Sequence, residues 1–126
     1  MNVVSFFLDL NYGGYSSKNA TSDEMDTLGL FLSDDVSCHS SFSFKEYALN
    51  DWEKYTNSNA TALEKKDGYV LLSDLYSQED VPTILKMRLD QFIKLLDDWQ
   101  ETVCKSKPKE VILKYENDQY IFETKD

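Results

Sequence analysis

The chain has 126 residues, of which 41% are hydrophobic, and its 23 acidic and 13 basic residues give a formal net charge of −10. This length is typical of a single domain spanning residues 1–126, and the apolar content exceeds that of a disordered acidic tail. The negative charge argues against nucleic acid as a direct ligand, because phosphate binding requires a basic surface.

The N-terminus predicts the cellular location. No basic region precedes its first apolar run, so we expect no signal peptide. Apolar runs are far shorter than the roughly 20 residues of a membrane-spanning helix, so we expect no membrane association. These features indicate a cytoplasmic protein. In a reducing compartment, a structural disulfide between Cys38 and Cys104 is not expected.

The first elements are a strand, a loop and a helix. Residues 3–10 are rich in β-branched and aromatic side chains and predict a strand that runs into a loop at 11–17. Residues 21–24 have the spacing of a capping box, and apolar residues follow at helical intervals. Gly29 weakens that helix and leaves a strand at 29–33 as the alternative.

A second helix is predicted from Ser43 to about residue 57. It begins with another capping pattern, and its aromatic residues fall on one face at helical spacing. Trp52 lies on this face, so we expect it to be a core residue. The polar segment 56–61 predicts a loop after the helix.

The second half of the chain contains strands, one long helix and a hairpin. Residues 69–72 predict a buried strand, and the alternation from Leu85 to Leu89 predicts a half-exposed one. The apolar stripe of the long helix predicts core positions, and two strands around residues 116–119 predict a closing hairpin. Its stripe consists of Phe92, Ile93, Leu96, Trp99 and Val103. The predicted class is α+β, with a mainly antiparallel sheet of four to five strands and two main helices packed on it.

The sequence gives little support for catalysis or for cofactor binding. His39 is the only histidine, and it cannot pair well with adjacent Cys38 because neighbouring side chains in an extended segment point apart. Cys38, His39 and Cys104 lack the spacing of zinc ligands, and no glycine-rich phosphate loop is present. We therefore expect neither an enzyme nor a bound cofactor or metal.

The charges are segregated along the chain. Residues 1–44 contain one basic residue, Lys18, and residues 67–82 contain none. Acidic loops with interspersed tyrosines are typical of a surface that docks on a basic protein, since carboxylates steer association and tyrosines supply contact area. The tyrosines are Tyr12, Tyr15, Tyr69 and Tyr76. The predicted docking residues are Asp34, Asp35, Asp74, Tyr76, Glu79 and Asp80.

Segments 42–47, 59–63, 68–76, 92–99 and 107–113, taken with the short N-terminal strand, resemble the small immunity proteins of bacterial polymorphic toxin systems. The contact-dependent growth inhibition type is the most similar group. The resemblance implies a cytoplasmic, non-enzymatic antidote that binds one cognate toxin domain, often a nuclease, and blocks it. No functional residue carries over by position, because these proteins are very diverse.

Two other classes remain open. One is a different acidic binding module, such as a DNA-mimic protein or a scaffold subunit, which the same charge pattern would fit. The other is an enzyme of unrecognised type. The identity of the toxin, the surface that would be covered and the oligomeric state are open as well.

Overall fold

The part of the chain that the structure describes forms eight strands and three helices. The computed structural model describes residues 2–11, 13–50, 54–55, 60–75, 80 and 83–125. The strands are β1 (Asn2–Asp9), β2 (Gly14–Lys18), β3 (Lys54–Tyr55), β4 (Thr61–Lys66), β5 (Tyr69–Asp74), β6 (Ile84–Arg88), β7 (Glu110–Glu116) and β8 (Gln119–Lys125). The helices are α1 (Asp23–Leu30), α2 (Ser41–Leu49) and α3 (Leu89–Asp98). Helices α1 and α3 continue as π-helical segments, Phe31–Val36 and Trp99–Cys104 respectively.

The strands form two antiparallel sheets of four strands each, in the orders β2-β1-β7-β8 and β3-β4-β5-β6. The predicted α+β class is confirmed, but the strands are divided between two sheets and are more numerous than expected. The sequence analysis missed β2, which occupies much of the expected loop at 11–17, and β4, which it left unassigned.

Two tight turns set the register of the hairpins. Asp67 and Gly68 connect β4 to β5, and Asn117 and Asp118 connect β7 to β8; all four residues have positive φ. Two successive residues of positive φ make the type of turn whose twist matches that of paired strands. The predicted closing hairpin is confirmed, as are the strands at β5 and β6.

Helix α1 lies unusually close to the first sheet. A Cβ atom added at Gly29 would lie 2.9 Å from the Cβ of Ser17 and 3.0 Å from a methyl carbon of Val4. The glycine therefore has a packing role, although it weakened the helical pattern in the sequence. The helix itself is confirmed, and its N-cap is Ser22, whose hydroxyl accepts a hydrogen bond from the backbone N–H of Met25.

Helix α2 is shorter than predicted. It ends at Leu49 rather than near residue 57, and Lys54–Tyr55 pairs with β4 as a strand. The backbone of Asn50 is already extended, and its side-chain amide donates to the carbonyl of Glu46. Asparagine competes with the backbone for such hydrogen bonds, which favours the end of a helix. Trp52 lies outside the described residues.

A single hydrophobic cluster joins both sheets and all three helices. Trp99 lies fully buried within it, 5.0 Å from the ring of Phe6 in an edge-to-face arrangement. The predicted core positions of α3 are confirmed, except that Ile93 is only half-buried. The core therefore lies where the two sheets and α3 meet, and the acidic side chains discussed below lie around it.

Candidate functional site

The start of α1 presents a group of acidic side chains. Asp23, Glu24 and Asp26 occupy its first turn, and all three are exposed. Carboxylates are stabilised at a helix N-terminus, where unpaired N–H groups give a partial positive charge. Their position thus has a local structural reason, and it also concentrates negative charge on one part of the surface.

The end of β5 adds a further carboxylate to this group. Partial desolvation raises the pKa of Asp26 above its usual value, and the negative charges of Asp74 and Asp23 raise it further. Helix α1 and β5 pack against each other, which explains why residues so distant in sequence interact. We call Asp23, Glu24, Asp26 and Asp74 the α1 acidic surface.

The structure separates the predicted docking residues. Asp74 is half-buried and belongs to the α1 acidic surface, whereas Asp34 is exposed on the π-helical segment after α1. Asp80 is exposed, and Tyr76 and Glu79 lie outside the described residues. The sequence analysis did not include Asp23 and Asp26, although their place in the predicted capping box and first turn could have indicated them.

Asp35 is buried, so its position does not support the predicted docking role. Its side chain is buried, and its two carboxylate oxygens accept hydrogen bonds from the backbone N–H groups of Ala60, at 2.8 Å, and Thr61, at 3.0 Å. The hydroxyl of Thr61 also donates to it. Asp35 follows Leu28 and Phe31 on the apolar stripe of the helix, and this spacing was the signal that it faces inward.

Of the four tyrosines in the docking interpretation, the structure describes Tyr15 and Tyr69. Tyr15 is buried against Trp99, and its hydroxyl donates to the carbonyl of Pro108 at 2.6 Å. Tyr69 is partly exposed, with the ammonium of Lys86 4.1 Å from the centre of its ring. Tyr12 and Tyr76 lie outside the described residues. Tyr15 is therefore a core residue, while Tyr69 remains accessible.

Cys38 and Cys104 form a disulfide, which the sequence analysis did not expect. The sulfur atoms are 2.09 Å apart and the Cα atoms 5.4 Å apart. The bond joins the turn that follows the first π-helical segment to the end of the second one. The two cysteines are 66 residues apart in the sequence. No local pattern therefore indicated that the packing of α3 brings them together. Neither sulfur is a free thiol in this state.

The polar groups beside α3 are paired with one another. Arg88 donates to Asp90 at 3.0 Å and to Asp118 at 2.6 Å, and Gln91 also donates to Asp118. The hydrogen bonds from Arg88 and Tyr115 lower the pKa of Asp118. Arg88, Asp90, Gln91 and Asp118 line a cleft of about 170 Å³, and their hydrogen bonds join the β7–β8 turn to the start of α3.

Within the described part of the chain, no group of three or more histidine, cysteine or acidic residues is arranged to hold a metal ion. His39 lies exposed in the turn beside the disulfide. The geometry around it offers a solvent-facing imidazole rather than a general base directed at a nucleophile.

The chain was compared with protein-family models, curated proteins and solved structures, and none of the three comparisons finds a match. Among the described helices, none is both long and apolar enough to cross a membrane. The functional assignment therefore depends on the α1 acidic surface and on the sequence itself.

Proposed function

We propose that this protein is a non-enzymatic antidote that binds a cognate bacterial toxin domain and blocks it in equimolar amount. The target would be a basic domain, in the simplest case a nuclease. Support comes from the net charge of −10 and the α1 acidic surface, together with the resemblance to immunity proteins of contact-dependent growth inhibition systems.

The observation that carries the proposal is the grouping of Asp23, Glu24, Asp26 and Asp74 where α1 packs against β5. Partial desolvation raises the pKa of Asp26, and the negative charges of Asp74 and Asp23 raise it further, so the fold holds these carboxylates on one part of the surface. Carboxylates grouped on one surface attract positively charged groups. Lysine or arginine side chains of a basic partner would supply such groups, so the surface is suited to binding one.

A nuclease would be a suitable partner for a simple electrostatic reason. Its active site must attract phosphate, so it presents basic side chains to solvent. An acidic surface that docks there is steered by the same field that attracts the substrate, and it then excludes the substrate by occupying the site. Inhibition of this kind involves no turnover.

We also propose that the protein is cytoplasmic, although the disulfide argues against this location. Disulfides persist in oxidising compartments, while the cytosol keeps thiols reduced. The state of Cys38 and Cys104 in bacteria can be measured by acid quenching and alkylation with a maleimide of known mass. Two added labels without prior reduction indicate the cytoplasm, and no added label indicates an oxidising compartment.

The experiment uses the toxin domain encoded beside this gene and two variants of equal net charge. Asp23→Asn with Asp26→Asn changes the α1 acidic surface, and Glu64→Gln with Glu116→Gln removes two exposed carboxylates that lie on β4 and β7. At low salt we expect the first pair to slow association about 10-fold, because steering depends on charge near the contact.

The control pair should slow association about 2-fold or less, since its charges lie away from the proposed contact. Equal slowing by both pairs would contradict the proposed site and favour the general acidic module of the DNA-mimic or scaffold type. No binding by the wild-type protein would contradict the antidote proposal itself.

A further inference from the structure

Helices α2 and α3 form a face with two exposed apolar side chains. Phe42 is 70% exposed and Leu49 is 64% exposed. They are seven residues apart, so they project from the same side of α2, about 10 Å from each other along its axis. The exposure of such apolar side chains to water is unfavourable, and their burial in an interface would be favourable.

Two shallow hollows between the helices accompany these side chains. One, of about 430 Å³, lies beside Phe42, and the other, of about 670 Å³, lies beside Leu49. Asp97 borders both of them and pairs with Lys45 of α2 at 2.9 Å. The face thus alternates apolar projections and apolar hollows around a central ion pair.

The charges of this face are balanced, unlike those of the rest of the molecule. Each carboxylate that lines the hollows is paired with a cation of the same chain. The pairs are Asp90 with Arg88, Asp97 with Lys45, Asp98 with Lys94, and Glu101 with Lys105. Among the described residues, exposed Glu46 adds one negative charge, and Asp90 shares Arg88 with Asp118, so the face carries about −1 to −2 of the net −10.

We propose that two copies of this chain associate through the α2/α3 face. A basic partner would be drawn to the α1 acidic surface, where carboxylates are concentrated, rather than to a face whose carboxylates are each paired with a cation of the same chain. A second copy carries −10 as well, and it meets less repulsion at this nearly neutral face than at the α1 acidic surface. Around a two-fold axis, Phe42 of one copy would meet Leu49 of the other.

The electrostatics give this association a distinctive salt dependence. Most of the negative charge lies outside the face, so the two copies repel each other at low salt. Added salt screens this repulsion while leaving apolar contacts in place, and the dimer should therefore become more stable as salt rises. Binding of a basic toxin would weaken under the same change, which separates this proposal from the antidote proposal.

The test is sedimentation equilibrium of the full chain at low and high salt, at up to about 1 mM, a concentration that detects even weak complexes. Leu49→Lys places a cation at the C-terminal end of α2, where the helix tolerates it. Leu10→Lys makes the same charge change at a leucine that is 83% exposed in the β1–β2 turn.

We expect wild type and Leu10→Lys to approach twice the monomer mass, and Leu49→Lys to require at least about 10 times the concentration. Phe42→Asp, placed in the first turn of α2, repeats the test should Leu49→Lys fail to fold. A wild-type protein that stays monomeric would overturn the proposal. Equal association of folded Leu49→Lys and Leu10→Lys would overturn the assignment to this face.

Discussion

The carboxylate of Asp35 accepts a hydrogen bond from the backbone N–H of Thr61, with 3.0 Å between Oδ2 and N. Its other oxygen accepts from the N–H of Ala60 at 2.8 Å. These bonds connect the π-helical segment after α1 to the first residue of β4, and so connect a helix to the second sheet. The side chain of Asp35 thus takes the place of a backbone acceptor for two buried N–H groups.

Replacing Asp35 by Asn should lower the free energy of unfolding by about 2–3 kcal/mol. The amide would keep one acceptor and turn an N–H group towards a backbone donor, which leaves buried polar groups unsatisfied. Urea denaturation followed by circular dichroism measures the change. Asp34→Asn is the matched control and should change stability by less than about 0.5 kcal/mol because Asp34 is exposed. Equal effects of the two substitutions would contradict this account of Asp35.

Removing the disulfide should lower the free energy of unfolding by about 4 kcal/mol. A cross-link between positions 66 residues apart restricts the unfolded chain strongly, and its loss restores that freedom. Urea denaturation of the oxidised protein, of the protein in dithiothreitol and of the Cys38→Ser, Cys104→Ser variant measures the change. The reduced protein and the variant should agree closely, and a variant as stable as the oxidised protein would show that the cross-link contributes little.

Trp99→Ala should cost about 3–5 kcal/mol, because it leaves a cavity at the contact of α3 with Phe6 and Tyr15. It also removes the hydrogen bond from the indole Nε1 to the carbonyl of Ser37, which measures 2.7 Å. Toxin binding by the folded fraction should keep the wild-type association rate. Lost binding with unchanged thermal stability would show that Trp99 contacts the partner instead.

Alkaline pH should destabilise the fold through Tyr120. Burial raises the pKa of this phenol above its usual value of about 10, so above that pH the unfolded chain ionises more readily than the folded one. The contribution of the neutral Tyr120 phenol to the free energy of unfolding is present below about pH 10 and is lost as the pH rises further. Thermal melting at pH 9 and pH 11 should show a smaller loss for Tyr120→Phe than for wild type. Equal losses would mean that Tyr120 does not contribute.

The elements with strong local signals could be predicted from the sequence. Helix α3 has an apolar stripe at regular spacing, and β6 alternates buried and exposed side chains. Strand β2 could not be recognised, because Gly14, Ser16 and Ser17 have low strand propensity and are paired only through β1. The end of α2 was misjudged because aromatic spacing continued past Asn50, where the backbone leaves the helix.

The sequence predicted that the candidate site is acidic, but not which residues form it. Segregated carboxylates indicated an acidic docking surface, yet they could not show which ones meet. The electrostatic effect of Asp74 on Asp26 arises from the packing of α1 on β5. Asp34 and Asp35 are neighbours with opposite fates, one exposed and one buried, since adjacent helical residues point to different sides. The disulfide depends on a contact that no local pattern encodes.

The central claim is occupation of a toxin domain without turnover. Titrating a fixed amount of the purified toxin domain, well above the dissociation constant, while following substrate cleavage tests this claim most directly. We predict that cleavage falls linearly and stops at about one copy of this protein per toxin molecule. Protection by trace amounts that increases with time would contradict the claim, because it would show that the protein modifies or destroys something catalytically.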